Sequence, residues 1–215
     1  MDQTMYFWGG VALVFVLGFG LASYFDKKRR EKLSESLSRL GFSFEPGPKP
    51  PSWFSFSHLP LFQRGRNESA KNIGKLKDGN KEFVYFDYKY TSGTGKNKST
   101  HHYTVFCATG QFSVPEFTLS KEDMLSKIAQ GLGYDDIDIP GDEEFSKKFV
   151  LRGSDKESIA KIFTSNVTQF IKQHPKLLLE GGRGAIVRYR SGRVSPDDLA
   201  SWVEESKQIL ALFTH

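Results

Sequence analysis

The chain has 215 residues, with 30 Lys and Arg against 25 Asp and Glu and a formal net charge of +5. Its single cysteine, Cys107, excludes an intramolecular disulfide framework and a cysteine-cluster zinc site. The length beyond the N-terminal segment suffices for one domain with its own core.

The first feature in chain order is residues 5–25, MYFWGGVALVFVLGFGLASYF, which carry no charged side chain. As a helix this run reaches about 32 Å, close to the hydrocarbon thickness of a bilayer. Tyr6 and Trp8 stand near one end and Tyr24 and Phe25 near the other, the places that aromatic rings take at a membrane interface. Lys27, Lys28, Arg29, Arg30 and Lys32 come next, against Asp26 and Glu31. The expectation is a single transmembrane helix over 5–25, with residues 1–4 outside and the remainder cytoplasmic by the positive-inside rule. A cleaved signal peptide would carry its positive charge before the apolar run, not after it. Gly18 and Ala22 form a small-xxx-small pair through which two anchors would self-associate.

Residues 26–41 read as a juxtamembrane basic amphipathic helix, with Leu33, Leu37 and Leu40 at helical spacing and Gly41 as the stop. Residues 42–58 hold Pro46, Pro48, Pro50 and Pro51 and read as a stiff linker. Trp53, Phe54 and Phe56 within it are expected at the domain's edge or at the membrane interface.

The domain proper is expected over 59–215. Asp78-Gly79-Asn80 turns the chain between two strands, and in the second Val84, Phe86, Tyr88 and Tyr90 share one face. Phe83, Tyr85, Asp87 and Lys89 share the other. HHYTVFCATG gives a third strand, and FSVPEFTLS a fourth, placed at an edge because Pro115 interrupts it. Ser120-x-x-Asp123 predicts a helix ending near Gly131, and FSKKFVLRG a further strand. Ser154-x-x-Glu157 opens a helix that Thr164-Ser165-Asn166 threatens to break. LLLEGGRGAIVRYR is a glycine-turned hairpin, and Ser195-Pro196-Asp197-Asp198 starts the last helix. The fold class is α+β: a transmembrane helix, then an antiparallel sheet with helices on one face.

The search for chemistry is mostly negative. SGTGKNKST lacks the first glycine and the Lys-Ser/Thr of a phosphate-binding loop and lies between two strands, so it reads as a hairpin tip. Starting a calcium loop at Asp136 puts Pro140 in the fifth position and Lys147 in the twelfth, and the match fails. His101 and His102 are neighbours on a strand and point to opposite faces, which prevents joint chelation. No metal site, cofactor or catalytic set is expected. Nucleic acid is not expected either, since Asp87 would oppose phosphate in the one aromatic strand that invites stacking. Asp87 is the most curious residue, a carboxylate amid tyrosines and phenylalanines. It is expected either on an exposed face or in a hydrogen bond to a tyrosine, Arg or Lys of a neighbouring strand.

LPLFQRGR, FDYKYTSGTGKNKSTHHYTV and EFSKKFVLRG together resemble an uncharacterised bacterial family of membrane-anchored proteins, over roughly residues 59–213. The resemblance implies a bacterial inner-membrane protein with one domain beyond its anchor and transfers no catalytic residues. The expected function is a non-catalytic interaction module that binds a protein partner or anionic lipid headgroups. Its contact residues would be Lys27, Lys28, Arg29, Arg30, Lys32, Lys96, Lys98 and His101. The alternatives are a tethered enzyme with a pocket of Asp87, His102, Arg152 and Arg188, or an extracytoplasmic binding domain.

Overall fold

The computed structural model describes residues 3–121 and 134–214, without the side chains of residues 3–7, 9–19 and 22. Its first element, α1 (Gln3–Arg39), is one unbroken helix. The strands are β1 (Ser43–Glu45), β2 (Arg66–Asp78), β3 (Lys81–Ser92), β4 (Ser99–Gly110) and β5 (Phe117–Lys121), then β6 (Phe149–Gly153), β7 (Leu178–Gly182) and β8 (Ala185–Ser191). The remaining helices are α2 (Glu143–Lys148), α3 (Lys156–Ile162), α4 (Ser165–Lys172) and α5 (Leu199–Ala211). The strands form one sheet in the order β1-β2-β3-β4-β8-β7-β5-β6, antiparallel at every junction.

Strand alternation divides the sheet into two buried faces. Phe83, Tyr85, Phe106, Ala108, Ile186, Leu179, Leu119 and Leu151 meet the helices, including Leu33 and Leu37 of α1 and Trp202, Val203 and Leu210 of α5. On the opposite face Val84, Phe86, Tyr88, Val105, Cys107, Val187 and Tyr189 lie under Phe54, Phe56, Leu59, Leu61 and Phe62. The covering segment is short and irregular, with single 3-10 turns at Pro51–Trp53 and Pro60–Gln63. It nevertheless seals the face, because Phe54 stacks on Phe86 with ring centroids 4.9 Å apart. An antiparallel sheet can leave one face to solvent, and here neither is left.

Several expectations are corrected. Among the described residues no helix is long and apolar enough to cross a membrane. The transmembrane assignment therefore fails, and with it the bacterial inner-membrane location and the orientation drawn from the positive-inside rule. The charged segment that adjoins the apolar run has a place in the fold. The helix continues into it without a break, and the domain takes it up. Leu33 and Leu37 are fully buried against the sheet, and the collar's charges pair with it: Arg29 with Asp87, Asp26 with Arg193, Lys32 with Asp197.

Residues 42–58, expected as a linker, belong to the folded unit. β1 pairs with β2, and Lys49 bridges Ala70 with backbone hydrogen bonds of 2.9 Å in both directions. Trp53 lies on the surface, 47% exposed, with the Lys49 and Lys75 ammonium groups 4.6 and 4.2 Å from its ring. β5 is not an edge strand, since β7 and β6 flank it. Pro115 precedes the strand instead of interrupting it, so no ladder bond is lost. The helix expected after Ser120 falls on residues 122–133, outside the described residues.

Local chemistry explains the remaining boundaries. A Cβ on Gly93, which has φ +73°, would collide with the Asn97 carbonyl, so the glycine-rich tip is a backbone requirement. Asp142 in the acidic loop caps α2 by accepting from the Phe145 N–H at 3.1 Å. Asp155, one residue later than the expected Ser154, does the same for α3 at Ser158. The helix does break before Ser165, giving α3 and α4. The last helix begins at Leu199, after a turn in which Ser195 Oγ accepts from the Asp197 N–H.

Leu37 tests how far α1 belongs to this core. Its methyl groups stand where a Cβ on Gly74 would lie within 3.1 Å of them. Leu37→Ala should therefore destabilise the domain by about 2–5 kcal/mol, the usual cost of a large-to-small change in a packed core. The check is the midpoint of urea unfolding, with the slope unchanged.

Candidate functional site

Asp87 sits near the middle of β3 on the helix-facing side, 6% exposed. A carboxylate buried that deeply needs partners, because its desolvation costs several kcal/mol. It has four. Arg29 of α1 reaches both oxygens at 3.2 Å, Asn72 Nδ2 donates at 2.8 Å, Tyr85 OH donates at 3.4 Å, and Thr104 Oγ1 lies at 3.5 Å. Asn72 reaches it because β2 bulges between Lys71 and Gly74, where Asn72 takes φ +54°. Arg29 also donates to the Val194 carbonyl at 2.8 Å, and the Val194 N–H donates to Thr104 Oγ1. One cluster thus holds α1, the central strands and the β8–α5 connection together. Burial, then the charge of Asp87, pushes the Tyr85 hydroxyl well above its ordinary pKa, which keeps it a donor.

Beside this cluster lies a groove of about 150 Å³ between α1 and the sheet. Asp26 and Arg30 come from the helix, Lys71, Asp87, Lys89 and His102 from β2, β3 and β4, and Arg193 from the loop after β8. Asp87 and His102 therefore do share a concavity, because Asp87 pairs with Thr104 and Lys89 with His102 in the β3–β4 register. The other members of the expected pocket are elsewhere. Arg152 is at the far edge of the sheet, paired with Asp136. Arg188 lies under Trp202, bound to Glu205 at 2.7 Å and to Ser206 Oγ at 2.9 Å. Burial lowers the pKa of its guanidinium, and Glu205 opposes that shift.

The expected contact residues divide as well. Lys27 and Lys28 are exposed, as are Lys96 and Lys98 at the β3–β4 tip. His101 stacks on Tyr90 at 4.8 Å and is hydrogen bonded to Ser92, a structural role at the base of that tip. Arg29 faces inward, and Lys32 reaches Asp197 at 3.5 Å. Among the described residues no cluster of three metal-ligating side chains occurs.

A second buried carboxylate escaped the sequence reading. Glu180 of β7 has no exposed surface. It accepts from Arg64, from the Leu61 N–H at 2.7 Å and from Tyr189 OH at 2.8 Å, so it fastens the covering segment to the other sheet face. Burial alone would lower the pKa of Arg64, and Glu180 and Tyr189 outweigh it and raise it. The same signal that marked Asp87, a lone acid in an apolar run, is present in LLLEGG.

Because Asp87 is matched by Arg29, removing either partner strands a charge. Asp87→Ala should cost about 3–5 kcal/mol, whereas the paired change Arg29→Met with Asp87→Leu should cost far less than the sum of the single variants. A double-mutant cycle by urea denaturation measures the coupling.

No family model and no curated protein matches the chain. Among solved structures it is similar to the crystal structure of the mycobacterial trehalose monomycolate transport factor A, TtfA, with a TM-score of 0.57. The alignment covers 86% of this chain and 96% of that one at 8% identity, a likeness of fold alone.

Proposed function

We propose that this chain is a non-catalytic interaction module that holds a protein partner along α1. The observation that carries this reading is the exposed apolar surface of that helix. Leu21, Tyr24 and Phe25 are 57%, 58% and 63% exposed on a helix whose C-terminal part is clamped to the sheet. Burying three such side chains is worth about 1.5–3 kcal/mol each, enough to drive association. Lys27 and Lys28 follow after Asp26, exposed and without an ion-pair partner among the described residues. The partner that fits is therefore an apolar helix flanked by acidic side chains.

Binding is favoured over catalysis because both oxygens of Asp87 are spent on Arg29, with Asn72 on one of them, leaving no free general base beside His102.

A photo-crosslinking residue in place of Tyr24 in the full chain tests the reading. The expected adduct is with a protein, at a helix bordered by Asp or Glu, and it disappears in Leu21→Glu/Phe25→Glu and weakens in Lys27→Glu/Lys28→Glu. Adducts with lipid alone, with a second copy of this chain alone, or none, would overturn it.

A further inference from the structure

The groove beside Asp87 holds more positive charge than the fold uses. Four cationic side chains line it, Arg30, Lys71, Lys89 and Arg193, against the carboxylates of Asp26 and Asp87. Both carboxylates are already taken: Asp26 by Arg193 at 3.2 Å, and Asp87 by Arg29, a fifth cation that stands behind the groove. Arg30, Lys71 and Lys89 have no ion-pair partner among the described residues. They come from three separate elements, α1, β2 and β3, so no single helix face or strand pattern accounts for their convergence.

This concentration of charge bears on a neighbouring group. The His102 imidazolium is disfavoured, first by partial burial and then by Arg193 and Lys89, against the weaker pull of Asp87 and Asp26. An unopposed set of cations around a small concavity is the arrangement that an anion relieves, through charge-assisted hydrogen bonds from Lys and Arg.

We infer that the groove between α1 and the sheet is a binding site for a small tetrahedral oxyanion, a phosphate or a phosphate monoester, held by Arg30, Lys71 and Lys89 with His102 at its rim. The size agrees. About 150 Å³ is the space of about five waters, ample for one such group and too small for a drug-sized ligand. The site is separate from the apolar stripe of α1 and does not rest on the partner reading.

The inference sets a direction for pH. In the empty groove His102 titrates below its ordinary value, so the neutral ring predominates at neutral pH. A bound anion favours the imidazolium, so binding raises the His102 pKa and protons and anion bind together. For an anion of fixed charge, affinity should therefore increase as pH falls through the His102 titration; phosphate itself loses a charge over the same range. The groups that face the ring are Asp26, Arg193, Asp87 and Lys89.

The experiment is a titration of the full chain with sodium phosphate at constant ionic strength, following the His102 ring resonances by NMR. The expected result is a saturable shift and a raised His102 pKa. Lys71→Ala, at an exposed position whose loss leaves the fold intact, should weaken binding at least about tenfold, the size of one charge-assisted contact. Lys89→Ala should do the same at an unchanged melting temperature. Lys27→Ala/Lys28→Ala, outside the groove, should leave binding as it was. No saturation, or an equal loss in the Lys27/Lys28 variant, would overturn the site. Glycerol 3-phosphate in parallel separates the sources: tighter binding than phosphate marks a headgroup-type monoester, and equal or weaker binding marks the free anion.

Discussion

A single buried carboxylate decides how this molecule is assembled. Asp87 lies in the middle of the sheet's helix-facing side, where an unpaired charge would be untenable. Its answer is Arg29, 58 positions earlier in the chain. That pairing ties α1 to the domain, together with Leu33 and Leu37, which lie in the core further along the same helix. The same contact aligns Val194 and Thr104, and so the start of the segment leading to α5.

The opposite face of the sheet repeats the principle. Glu180 is buried more deeply than Asp87 and is answered by Arg64, Tyr189 and the Leu61 backbone. Each face is thus covered by a segment that brings its own arginine to a carboxylate on the sheet. Apolar contact supplies the bulk of the stabilisation on both sides. The ion pairs supply register, because an arginine misplaced by one residue would leave two charges buried apart. This explains how a segment as irregular as 51–63 can close a sheet face without forming a helix of its own.

The groove that carries spare positive charge is a by-product of this assembly. Docking α1 through Arg29 brings Arg30 to the groove that Lys71 and Lys89 also line, while Asp26 is drawn to Arg193. The exposed Leu21, Tyr24 and Phe25 come just before Asp26 and Arg29, through which the same helix is docked. Two candidate binding surfaces therefore share one helix but face different chemistry, one apolar and one anionic.

The amino-acid order alone settled what depends on neighbours in the chain. The alternation through FVYFDYKY assigned Val84, Phe86, Tyr88 and Tyr90 to one face and Phe83, Tyr85 and Asp87 to the other, because strand period is a local property. The turn at Gly79, the hairpin of β7 and β8 and the glycine tip at Gly93 were legible for the same reason. What spacing does not carry is the partner of a buried charge or the neighbour of a strand. The basic collar looked like a lipid contact because five cations in close succession have that meaning in one dimension; in three, Arg29 turns inward and Lys32 finds Asp197. β5 looked like an edge because of Pro115, and only the crossover order of the sheet puts it between β7 and β6. Those outcomes belong to tertiary structure, because the free energy of burying a charge is set by whatever the fold brings to it from far along the chain.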